Sequence, residues 1–170
     1  MAVLQIRIYG DPILTKKAES IRNINEKIVE LAQSMVKTMH SAPGIGLSAP
    51  QVNTSKRLIT VDLSVGEKSE DLIILANPEL LTYEGEIISE EGCLSIPGIQ
   101  EKVPRSARIM VKGIDIKGNE KVIEAEGLLA RVLSHEIDHL NGKLFIDYLS
   151  PLKRSLIRKK LKKQLEAKKS

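Results

Sequence analysis

At 170 residues the chain is sized for one domain with its own core, and 42% apolar and 28% charged residues make it globular in composition. No apolar run approaches the length that spans a bilayer, and the opening MAVLQIRIYGDPIL lacks the layout of a secretion signal, so a cytoplasmic protein with no membrane partner is expected. The lone cysteine, Cys93, excludes an internal disulfide, and 2% aromatic residues with no Trp argue against base-stacking platforms for single strands. The net charge of +4 is uneven: residues 151–170, PLKRSLIRKKLKKQLEAKKS, carry +8, which leaves about −4 for residues 1–150.

Residues 5–9 are a short apolar opening, and Gly10-Asp11-Pro12 marks a turn. From Asn25 to about His40, Ile28, Leu31, Ala32, Met35 and Met39 recur at helical spacing, a stripe read as core packing. Asn23, three before Glu26, resembles a capping box. SAPGIGLSAPQ, 41–51, is too rich in Gly and Pro for a helix. Alternating patterns then predict strands at 57–63, 72–78 and 80–92. Two more, at 107–116 and 121–127, flank a hairpin turn at Lys117-Gly118-Asn119-Glu120. Strands joined by short turns imply antiparallel pairing, and the order helix, strands, helix implies the α+β class. Residues 127–141 return to helical spacing, with Leu129, Val132, Leu133, Ile137 and Leu140 apolar and Gly142 as the stop. This helix is apolar on more than one side and is expected to be buried among the sheets.

The same helix carries SHEIDHLNG, 134–142. Positions i and i+4 lie about 40° apart around a helix axis, so His135 and His139 can bind one ion, with Glu136 flanking it about 100° from His135. H-E-x-x-H is a metallohydrolase pattern of two imidazole ligands and a carboxylate base. The competing reading is a pair of solvated surface histidines, which the apolar neighbours disfavour. A catalytic site needs a third protein ligand, and no His follows His139. Cys93, in EEGCLSIPG, is the candidate, although a lone cysteine is more often a small buried hydrophobe. A thiolate beside two imidazoles suits Fe(II), Zn, Co or Ni. Leu128 and Val132 precede His135 on the same helical face, either as pocket walls or as plain core. Gly44 and Gly46 would let the loop backbone approach a ligand closely.

Three segments, in order, resemble the peptide deformylase family: Gly44-Ile45-Gly46-Leu47-Ser48-Ala49-Pro50-Gln51, Glu91-Gly92-Cys93-Leu94-Ser95 and His135-Glu136-Ile137-Asp138-His139. Ser48 and Ser134 depart from the family's commoner Ala and Gln. The resemblance implies removal of the formyl group from N-formylmethionyl peptides. It implies Cys93, His135 and His139 as ligands of one Fe2+, for which Zn2+, Ni2+ or Co2+ can substitute. Glu136 would be the general base, and the Gln51 amide and Leu94 N–H would hold the formyl oxygen. Ile45 would offer backbone hydrogen bonds to the peptide, which would lie beside it in extended form, Gly46 would also bind substrate, and Leu128 and Val132 would line the methionine pocket. The fold implied is α+β, with antiparallel sheets around a central metal-binding helix and with an N-terminal and a C-terminal helix. Residues 1–150 would be the catalytic domain, and 151–170 a basic helix of the same domain that meets the ribosome. The rival readings are a ribosome-binding module with a closed structural metal site and a metalloprotease; Gln51 and Cys93 in their motifs argue against both.

Overall fold

All four residues of strand β2, Leu58–Val61, are buried, so the chain has to cover this strand on both faces. The computed structural model, which describes residues 2–169, shows how. β2 lies second in an antiparallel sheet of order β1-β2-β3-β6-β7, formed with β1 (Gly46–Ser48), β3 (Ile73–Glu84), β6 (Arg108–Ile114) and β7 (Glu120–Glu126). Side chains alternate along a strand, so Leu58 and Ile59 point to opposite faces. On the Leu58 side, Ala32, Met35 and Met39 of helix α1 (Glu26–Ser41) pack with Leu47 and Ala76. On the Ile59 side, Val132, Leu133, Ile137 and Leu140 of helix α2 (Gly127–Leu140) pack with Val61, Leu75 and Val111. A second sheet pairs β4 (Ile87–Cys93) with β5 (Ile96–Arg105). Ile96, Ile99 and Val103 of β5 form a third core with Phe145, Ile146 and helix α3 (Pro151–Lys169). The expected α+β class holds, with antiparallel sheets, α2 as the histidine-bearing helix, and a helix toward each end.

α2 ends as Gly142 predicts. Gly142 has φ +74, its N–H donates to His139 (3.1 Å), and the Lys143 N–H donates to Asp138 (2.9 Å). Added bulk would not fit, since a Cβ here would lie 2.5 Å from the Thr15 carbonyl oxygen. The cap of α1 differs from expectation: Asn25, not Asn23, accepts the Ile28 N–H at 3.0 Å. β3 runs through Pro78 because Asn77, at φ +49, and a register shift between Ala76 and Glu79 absorb the missing N–H. The stretch expected as one strand over 80–92 is divided at Gly85, φ +70, into the end of β3 and β4. β5 has no counterpart among the expected strands, because Pro97, Gly98 and Pro104 disguise its alternation. α3 docks by one side: Ile157 and Leu161 are buried, whereas Leu152 and Leu156 are 71% and 56% exposed. The first residue of the expected 1–150 span and the last of 151–170 lie outside the described residues. Among the described residues no helix is long and apolar enough to cross a membrane.

Candidate metal centre and active site

Helical spacing brings the His135 and His139 rings together, with their Nε2 atoms 3.2 Å apart. β4 delivers Cys93 at its last residue, Sγ lying 3.3 Å from His139 Nε2. The three donor atoms all fall within 4.8 Å of one another. His135 Nδ1 lies 3.0 Å from Glu91 Oε1. A carboxylate only accepts, so that ring donates from Nδ1 and turns its Nε2 toward Cys93 and His139. Glu91 is gripped at both oxygens by Arg105, through Nε at 2.8 Å and Nη2 at 2.9 Å. Arg105 also donates to Asp138 (2.6 Å), which accepts from the Tyr148 hydroxyl (2.7 Å).

Burial alone would raise the Glu91 pKa, but the His135 and Arg105 hydrogen bonds outweigh it and bring it down to about 2. Burial would lower Arg105, yet its two carboxylates hold it firmly charged. Burial, then the charges of His135 and Arg105, keep His139 well below the ordinary imidazole value, so its ring is neutral. Glu136 is 3% exposed, and burial pushes its pKa up to about 7. Its Oε1 is a buried acceptor with no partner, as is the Nδ1 of His139 a buried nitrogen with none. Two ring nitrogens and a sulfur crowded on one point, one ring held neutral and the other oriented by a carboxylate, fit a soft-to-borderline divalent metal such as Fe2+, Zn2+, Co2+ or Ni2+.

A cleft of about 890 Å³ opens beside this cluster and is lined by Ile45, Gly46, Gln51, Cys93, Leu94, Leu128, Val132, His135 and Glu136. Of the predicted site residues only His139 is absent from its wall; it lies behind, 1% exposed. Leu128 stands at the mouth, 46% exposed, so it is wall and not core, whereas Val132 serves as both. Gln51 sits in a short 3-10 turn after β1. Its Oε1 accepts from the N–H and the hydroxyl of Ser48, both at 3.0 Å, and its Nε2 donates to Ser95 Oγ (3.1 Å) and toward Cys93 Sγ (3.5 Å).

Gly44 and Gly46 both line the cleft, and the fold places a second demand on them. A Cβ on Gly46 would lie 2.5 Å from Glu136 Oε2 and 2.9 Å from Val132, and one on Gly44 would lie 2.9 Å from Leu94. These glycines make room for the protein's own side chains. The Ile45 carbonyl already accepts from the Asp62 N–H at 2.9 Å. Gly46, opposite Val61, therefore takes the alternate register position, with its N–H and C=O on the open edge of β1.

Arg105, Asp138 and Tyr148 are functional residues beyond those expected from the sequence, and Glu91 and Ser95 gain roles only in the fold. Asp138 lies within the His135 motif, and Ser48-x-x-Gln51 has capping-box spacing, so both carry a local signal. Arg105 and Tyr148 carry no local signal. Ser134 lines a separate surface cavity with Asp138 and Tyr148, away from the cleft.

The family model for polypeptide deformylase matches residues 3–155. The peptide deformylase of Thermodesulfovibrio yellowstonii is 56% identical over 162 residues, covering 95% of this chain and 98% of that protein. That of Syntrophobacter fumaroxidans is 49% identical over 166 residues, covering 98% of each. The crystal structure of a peptide deformylase from Legionella pneumophila superposes with a TM-score of 0.92 at 42% identity, covering 98% of each chain. A match of this extent, over a chain that folds its three motifs onto one cleft, means that the chain belongs to the polypeptide deformylase family, metal-dependent hydrolases that remove the N-formyl group from formylmethionyl peptides.

Proposed function

We propose that Cys93, His135 and His139 hold one Fe2+, replaceable by Zn2+, Ni2+ or Co2+, and that the adjoining cleft takes the formylmethionyl end of a nascent chain. The observation that carries this is the convergence of Sγ and two Nε2 atoms at 3.2 and 3.3 Å beside a buried carboxylate oxygen with no partner. When bound, the metal acts as a Lewis acid that lets water attack near neutral pH and polarises the formyl carbonyl. Glu136, poised at about 7, takes the proton of the attacking water and returns it to the departing amine. The formyl C–N bond breaks, leaving formate and a free N-terminus. Gln51 Nε2 and the Leu94 N–H donate to the formyl oxygen as it gains charge, each worth roughly 3–4 kcal/mol by comparison with other oxyanion holes. Glu91 keeps His135 oriented, and Leu128 and Val132 flank the methionine side chain. The peptide backbone extends along the open edge of β1, meeting Gly46 with Ile45 beside it.

α3 supports a second contact. Arg158, Lys159, Lys160, Lys162 and Lys163 are exposed while Ile157 and Leu161 anchor the helix, a field suited to phosphate backbones. This face takes a cytoplasmic enzyme to the ribosome, to rRNA or protein near the exit site, and residues 151–170 work as part of the domain formed by 1–150.

Formate release from a formyl-Met tripeptide by anaerobically purified protein, with and without chelator, tests the reading. Activity should vanish with chelation and return with Fe2+ or Ni2+, and Cys93→Ser should lose the metal. Full turnover by metal-free protein, or parental metal content and rate in Cys93→Ser, overturns it.

A further inference from the structure

The geometry points to Ser48 as a positioning residue for the Gln51 amide, its hydroxyl setting the plane in which Nε2 meets the substrate's oxygen. The inference rests on Gln51 being the oxyanion donor proposed above.

Both residues are buried, Ser48 at 0% and Gln51 at 1% exposure. The Ser48 main-chain N–H can only donate, so the amide atom 3.0 Å from it has to be the oxygen, and Nε2 is directed the other way. That bond alone decides which end is which. It leaves the amide plane free to turn about Oε1. The Ser48 hydroxyl, also 3.0 Å from Oε1, engages the oxygen's other lone pair and removes that freedom. At the far end one Nε2 hydrogen is taken by Ser95 Oγ at 3.1 Å. The other points toward Cys93 Sγ at 3.5 Å, a long and weak contact beside the cleft, where a stronger acceptor can claim it.

Ser48 is itself held. It is the last residue of β1, in register with Ile59 of β2, and it enters the 3-10 turn Ala49–Val52 that carries Gln51. The hydroxyl thus transmits the rigidity of the sheet to the catalytic amide through one hydrogen bond. Alanine here would keep the N–H contact and lose this second one.

Alignment of a donor matters most when the acceptor carries charge, so the effect should fall on the transition state and not on binding of the neutral formyl group. Ser48→Ala should lower kcat about fivefold, which is about 1 kcal/mol at 1.36 kcal/mol per factor of ten, with KM unchanged. The test is a double-mutant cycle on metal-loaded full-length protein, with formate release measured for the parent, Ser48→Ala, Gln51→Ala and the double variant at matched metal content. The expected result is a large loss for Gln51→Ala, a fivefold loss for Ser48→Ala in the parent, and no further loss when Ser48→Ala is added to Gln51→Ala. If Gln51→Ala costs nothing, the oxyanion assignment falls and this inference falls with it. If Gln51→Ala is costly but Ser48→Ala is silent, acts through KM, or costs the same in both backgrounds, Gln51 keeps its role and the positioning role of Ser48 is overturned.

Discussion

Replacing Arg105 with Leu tests whether the buried ion cluster is the structural support of the metal centre. The Arg105 and Glu91 side chains are 4% and 7% exposed, and Arg105 also reaches Asp138. Removing the cation strands Glu91 without its bidentate partner and leaves Asp138 only the Tyr148 hydroxyl. Breaking a buried pair from one side costs roughly 3–5 kcal/mol. At about 2–4 °C per kcal/mol for a chain of this size, Tm should fall by roughly 6–20 °C. The pH dependence follows by linkage. In the parent, Glu91 is held at about 2, below the unfolded value of about 4.3, so its contribution is full above that value and is lost only as pH falls through the lower one. In the variant, burial is opposed by the His135 hydrogen bond without Arg105, and the Glu91 pKa rises. Protonation then relieves the stranded charge, so the stability gap between the two proteins should narrow as pH falls from about 7 toward about 4. Urea denaturation followed by circular dichroism at several pH values measures both quantities. A loss below about 1 kcal/mol, or a gap constant over that range, would refute the reasoning.

Glu136→Gln should keep its metal and lose turnover by about 10²–10⁴-fold, since geometry survives while proton transfer does not; metal analysis beside formate release reads both. Gly46→Ala puts a methyl 2.5 Å from Glu136 Oε2, so kcat should fall about a hundredfold through displacement of the carboxylate, with metal content unchanged. Changing Arg158, Lys159, Lys160, Lys162 and Lys163 to Gln should leave tripeptide turnover intact and sharply reduce ribosome co-sedimentation at physiological salt; unchanged binding removes the ribosome contact. Truncation after Pro151 is the poorer test, because it also takes Ile157 and Leu161 from the core, at roughly 1.5–3 kcal/mol each.

Local pattern was enough for the chemistry's outline. Two histidines four apart on an apolar helix face one point whatever the rest of the chain does, and the glycine after them ends that helix through its own φ. The uneven charge of the tail and the α+β order of elements are likewise properties of short windows. Other features exist only once distant segments meet. β5 stays hidden because Pro97, Gly98 and Pro104 break its alternation, and it is held by pairing with β4 and by the core beneath it. The grip on His135 runs through Glu91, Arg105, Asp138 and Tyr148, drawn from β4, β5, α2 and the turn after it, and no spacing rule links them. Gly46 reads in the sequence as room for a ligand, and only the fold shows that a Cβ there would also meet Glu136. Short-range periodicity can direct side chains to one face, but which charges neutralise each other and which atoms fill a gap is decided by long-range packing, because only burial makes an unpaired charge or an overlap costly.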